Sequence, residues 1–210
     1  MARLVSTHLT SVSLERVEAF KQKYGVGDEA MLVELLDIIR EGAVKAGWTK
    51  HRPEDVKDTY VVVNGHFPNA FVWLGFLSGA DAEVKSLMMD IATDGAVDGD
   101  FRSLAFWAYL GRADAQEVRD TIVRFLSDDM RLANAFHRSR VYGASVHAYD
   151  KAEDNTQTRE AIVAAMSAAL AKEEDKKAFA EADKLLSERS KEWADSPQRK
   201  AALERMSKAD

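Results

Sequence analysis

Apolar side chains recur along most of this chain at intervals of three and four, the spacing of one face of an α-helix. Leu14, Val17 and Phe20 form such a stripe, with Ser13 placed to cap it and Tyr24-Gly25-Val26-Gly27 placed to end it. Asp28 is then expected to cap a second helix over 29–46. There Met31, Leu32, Leu35, Leu36, Ile38, Ile39, Ala43 and Val44 are too dense for a narrow surface stripe, so this helix is expected to be the most buried. Pro53, followed by Glu54 and Asp55, suits a helical first turn. The β-branched run Tyr60-Val61-Val62-Val63 before Asn64-Gly65 reads equally well as a short strand; we take it as helix.

From Phe67 the chain echoes itself at a spacing of 34 residues. Phe67 and Phe101, Trp73 and Trp107, Glu83 and Glu117, Val84 and Val118, and Asp94 and Asp128 coincide at that spacing. Each copy reads as an aromatic helix, a tight turn near Gly79 or Gly111, and a second amphipathic helix. Such a unit cannot bury its apolar face alone, and stacking on a neighbour supplies the cover. Trp73 and Trp107 would then occupy equivalent positions of successive hairpins.

Beyond Arg131 the echo fades into a helix carrying Phe136, His137 and Tyr142, and Asp150 to Thr158 forms a polar break in which Asp154 and Gln157 suit a capping box. Ile162, Met166 and Leu170, then Phe179, Ala182, Leu186 and Trp193, continue at helical spacing. Ser196-Pro197 starts a last helix with Ala201, Leu203 and Met206 on its apolar side. The expected fold class is therefore all-α: stacked antiparallel helical hairpins over 13–150, closed by a capping pair of helices over 151–210. Residues 1–12 stand apart, with one arginine, no acid and several Ser and Thr, a composition that leans toward an organellar presequence.

Composition narrows the function classes. No uncharged apolar run approaches the ~20 residues that a bilayer-spanning helix needs. The absence of cysteine in 210 residues excludes disulfides, thiol nucleophiles and cysteine-ligated metals, and suits the mitochondrial matrix or the cytoplasm. A net charge of −6 argues against a nucleic-acid partner, whose phosphates are held mainly by cations.

Candidate chemistry is sparse. Gly25-Val26-Gly27-Asp28-Glu29-Ala30 matches a dinucleotide fingerprint as a string, but follows a predicted helix, not the strand that a βαβ unit requires. Asp90, Asp94, Asp98 and Asp100 crowd one turn without the ligand spacing of a calcium loop. His8, His51, His66, His137 and His147 include no helical metal pair. No cofactor, metal or catalytic set is expected, and a non-enzymatic role follows.

One charge feature is unusual. Between Lys85 and Lys151 every cationic side chain is an arginine: Arg102, Arg112, Arg119, Arg124, Arg131, Arg138 and Arg140. The planar guanidinium suits desolvated carboxylate pairing better than an ammonium does. With aromatic residues nearby, Arg112, Arg119, Arg124, Trp107 and Tyr109 are the expected partner-binding residues.

Over about 67–149 the aromatic hairpins at period 34 resemble tetratricopeptide and pentatricopeptide repeats in period and shape. The full Trp, Leu-Gly, Tyr, Ala and Pro signature of the first family is not met. Asn69 and Ser103 lie near the place where the second puts base-reading side chains. That resemblance implies either RNA binding or a peripheral place in a large mitochondrial assembly such as ATP synthase. Arg131 and His137 also resemble the Arg-and-His arrangement of HEPN-type ribonucleases. The sequence thus favours a protein-interaction scaffold or structural subunit of a larger complex, with an RNA-binding or RNA-cleaving helical protein as the alternative.

Overall fold

The computed structural model describes residues 14–46, 67–95 and 97–208; the N-terminal segment, the Pro53 helix and the 60–63 run lie outside the described residues. The described residues form eleven α-helices and one 3-10 turn, with no strand among them. The all-α class therefore holds. The chain divides into two compact units, residues 1–112 and 113–210.

In the first unit α1 (Leu14–Tyr24) and α2 (Asp28–Ala46) are joined at Gly25, whose φ of 62° is the left-handed conformation a glycine adopts without strain. The expected density of α2 is realised: Met31, Leu32, Leu35, Leu36, Ile38 and Ile39 are all buried. Asp28, expected as its cap, is instead the first helical residue, and its carboxylate accepts from the backbone N–H and hydroxyl of Ser78 and pairs with Lys21 at 2.6 Å. Burial alone would raise this carboxyl, but the Lys21 and Ser78 contacts prevail and hold it at about 2.

Helices α3 (Phe67–Leu74), α4 (Asp81–Thr93) and α5 (Gly99–Leu110) complete the unit. α2 packs on α3, and α5 packs on both α3 and α4. The two members of the 34-residue echo are unequal: eight residues in α3 against twelve in α5. Their tryptophans also differ in setting. Trp73 is buried with its ring edge-on to Phe20 at 5.6 Å, whereas Trp107 is half-buried and edge-on to Phe76 at 6.0 Å. The ends of α3 and α5 meet at two glycines, where a Cβ on Gly111 would lie 3.3 Å from the Gly75 Cα and one on Gly75 would lie 2.9 Å from the Trp107 ring.

The second unit begins with α6 (Ala115–Phe125), which carries a complete capping box: Asp114 accepts from the Glu117 N–H and Glu117 accepts from that of Asp114. After a 3-10 turn at Asp128–Met130 come α7 (Ala135–Lys151), α8 (Thr156–Ala171), α9 (Lys176–Ser187), α10 (Lys191–Ala194) and α11 (Pro197–Lys208). α8 is the hub, packed against α6, α7, α9 and α11. Ile162, Met166, Leu170, Phe179, Ala182, Leu186 and Trp193 are all buried, as their spacing requires.

Two details of this unit differ from expectation. The cap of α8 is Asn155, whose side chain accepts from the Thr158 N–H, and not Asp154. On α11 the buried pair is Ala202 and Met206, four residues apart, while Leu203 stays exposed. The apolar stripe therefore lies one residue round from Ala201 and Leu203, since i and i+4 positions are what one facing helix covers.

Candidate interaction surfaces

A helix leaves its last carbonyls without intrahelical donors, at the negative end of its dipole. Arg102 donates from Nε to the Ala92 carbonyl near the end of α4 at 2.9 Å. Arg112, whose side chain is only 3% exposed, donates to the carbonyls of Leu74 (3.1 Å), Leu77 (2.5 Å) and Gly79 (2.6 Å) and also pairs with Asp81. Arg112 is thus engaged by its own chain, gathering the exit of α3.

The second unit repeats the device. Arg159 reaches the Tyr149 carbonyl in the last turn of α7, Arg189 that of Leu185 in α9, Arg199 that of Ala194 closing α10, and Arg205 that of Ala171 closing α8. Two of these forks simultaneously hold carboxylates in bidentate pairs: Arg189 with Asp150, both bonds 2.7 Å, and Arg199 with Asp183 at 2.7 and 2.9 Å. Asp183 also accepts from the Trp193 indole at 2.9 Å, which satisfies the N–H of a buried ring.

The most enclosed of these centres is Glu173, whose side chain is wholly buried in the turn between α8 and α9. Arg138 grips it from α7 with Nε to Oε2 at 2.8 Å and Nη2 to Oε1 at 2.6 Å. The Tyr142 hydroxyl donates to Oε2 at 2.8 Å, and the backbone N–H groups of Glu174 and Asp175 donate to Oε1 at 3.0 Å. Burial by itself would raise the carboxyl, yet the Arg138 hydrogen bonds and the backbone donors outweigh it and hold it at about 2. Burial, with Glu173 as an acceptor, pushes the Tyr142 phenol up. The adjoining cavity, lined by Phe125, Arg131, Arg138, Tyr142 and Lys172, measures about 20 Å³, room for roughly one water.

Of the residues expected to meet a partner, Tyr109 is buried, Trp107 is half-buried against Phe76, and Arg112 is engaged as described. Arg119 is half-buried on α6 and paired locally with Asp120, while Arg124 is exposed beside Val123, which is 46% exposed. Arg131 lies at the edge of the Glu173 centre, 3.6 Å from its carboxylate and donating to the Lys172 carbonyl at 3.3 Å. The fingerprint-like glycines sit in the loop between α1 and α2, with a helix on each side.

Sequence reasoning passed over Phe136 as an ordinary helical aromatic. It is 59% exposed at the start of α7, and the Arg140 guanidinium lies 4.5 Å from its ring centroid. The pair borders a groove of about 450 Å³ between α7 and α9, which also includes Ala135, Ser139, Lys177 and Ala178. The signal was available as an aromatic with an arginine four residues on, the spacing that stacks two side chains on one helical face.

Comparison with protein-family models, with curated proteins and with solved structures finds no match to this chain. Among the described residues no helix is long and apolar enough to cross a membrane.

Proposed function

We propose that this protein is a non-catalytic helical scaffold, a peripheral structural subunit that binds a protein partner within a larger complex in the mitochondrial matrix or cytoplasm. The observation that carries the reading is the exposed Phe136–Arg140 stack on the rim of the α7–α9 groove, an aromatic and an arginine of the kind that dominate binding energy at interfaces. Arg119, Val123 and Arg124 extend the same character on α6. The packing of α5 on both α3 and α4 is compatible with a short stacked array of tetratricopeptide type. An RNA-binding face lined by Arg131, His137 and Arg138 is less favoured, because the Arg138 fork is taken by Glu173 and by the Leu132 and Ala133 carbonyls.

Native purification from the source organism, followed by mass identification of co-purifying proteins, tests this. The wild type is expected in a larger complex. Phe136→Ala and the Arg119→Ala/Arg124→Ala pair are each expected to weaken attachment by about 1–3 kcal/mol with the fold intact. A lone monomer from the source, or attachment indifferent to all three changes, refutes the reading.

A further inference from the structure

α8 breaks the rule that a surface helix is polar on its outer side. From Ala161 to Ala171 it carries no charge at all, and its outward positions are alanines, with Ala164 and Ala168 exposed. A helix apolar all round is one whose every side is normally covered, yet this side opens into a groove of about 520 Å³. Val163, Ala164, Ser167, Ala168 and Ala171 form one wall, and Trp193, with Ser196 and Gln198, forms the other from the α10–α11 region. Among the described residues, the charged groups lining it are Glu160 and Glu192. Neither carboxylate makes an ion pair or hydrogen bond among the described residues, in contrast to Asp150, Glu173 and Asp183 in the same unit.

We infer that this groove is a docking site for a basic amphipathic helix of another protein, one whose small apolar residues meet the alanine wall and whose Lys or Arg side chains reach Glu160 and Glu192. Three features select that occupant. Alanine side chains let a second helix axis approach to about 8 Å, closer than branched residues permit. The wall from Glu160 to Ala171 is about 16 Å long, the reach of roughly three helical turns. Among the described lining residues the charge is wholly negative, so a cationic partner gains a pairing that an acidic one is denied. The groove shares no residue with the Phe136 surface and stands independently of it.

The test uses the full chain and two labelled synthetic helical peptides of about 15 residues with one common Ala/Leu face, bearing lysines in one and glutamates in the other. The lysine peptide is expected to bind saturably and to weaken with added salt, and the glutamate peptide to bind at least about tenfold more weakly. Ala168→Trp, which fills the groove at an exposed position, and Glu160→Lys/Glu192→Lys, which reverses its charge, are each expected to weaken the lysine peptide by about tenfold or more. Circular dichroism is expected to show unchanged helicity in both variants. Failure of the lysine peptide to bind, equal binding of both peptides, or binding indifferent to Ala168→Trp overturns the inference. So does concentration-dependent self-association of the wild type that Ala168→Trp abolishes, since a second copy would then be the occupant.

Discussion

Replacing Glu173 by glutamine changes one oxygen for one NH2 at the best-enclosed polar centre of the second unit. Two of the five donors around this side chain, the N–H groups of Glu174 and Asp175, meet Oε1 and can keep a carbonyl oxygen as acceptor. On the Oε2 side the Arg138 Nε–H and the Tyr142 hydroxyl would face an amide donor, and the bidentate grip of Arg138 is lost. Breaking a buried pair from one side costs about 3–5 kcal/mol. An independent route gives a similar figure: lowering the carboxyl from its ordinary 4.5 to about 2 corresponds to roughly 3 kcal/mol. Against a domain stability of about 5–15 kcal/mol this is a large share.

The same centre fixes a pH dependence. Because the folded-state value is depressed, Glu173 contributes its full stabilisation above the unfolded value of 4.5, and loses it as pH falls through about 2. By about pH 3 roughly 2 kcal/mol of it should be gone. Urea unfolding followed by far-UV circular dichroism measures both effects. Glu173→Gln should lower stability by about 3–5 kcal/mol near neutral pH and flatten the acid loss relative to wild type. A neutral-pH loss below about 1 kcal/mol, or identical acid slopes in the two proteins, would refute the reasoning.

Two further outcomes address the first unit. Arg112→Lys keeps the charge but offers no planar fork to the Leu74, Leu77 and Gly79 carbonyls, so a loss of about 1–3 kcal/mol in urea unfolding is expected, and a change within about 0.5 kcal/mol would count against the carbonyl contacts. Gly75→Ala places a methyl 2.9 Å from the Trp107 ring and should destabilise by about 1–3 kcal/mol while shifting tryptophan emission; an unshifted spectrum would show that the ring is not where the structure puts it.

Helix positions were readable from this sequence because their signal is local. The crowded apolar set of α2 and the stripe from Ile162 to Trp193 announce burial by spacing alone, and Pro197 marks its helix by backbone chemistry. The surroundings of the arginines were not legible, for the converse reason. Their bias over lysine was visible, but an outward partner and a carbonyl thirty or more residues away leave the same trace in sequence, as Arg112 and Leu74 illustrate. The same limit hid Phe136, since one exposed aromatic and one buried aromatic share a helical pattern until the neighbouring helices are placed. The 34-residue echo marked four helices, α3 and α4 in one copy and α5 and α6 in the next, but α3 and α5 differ in length and α4 packs on α5 across the copies, a partner that period alone does not specify.

The arginine-to-carbonyl ties bear on how this protein can change over evolutionary time. A guanidinium that reads a side chain constrains both partners, so that each substitution demands a compensating one. A guanidinium that reads a main-chain oxygen constrains only itself, because every residue type presents the same acceptor. As far as these bonds alone are concerned, the residues at Leu74, Ala92, Tyr149, Ala171, Leu185 and Ala194 can vary so long as Arg112, Arg102, Arg159, Arg205, Arg189 and Arg199 persist, and packing is what holds the buried Leu74 and Ala92. Descendants of this fold would share a scatter of arginines at fixed distances from their helix ends, with carboxylates kept only where a fork also holds one, as Asp150 and Asp183 are held by Arg189 and Arg199.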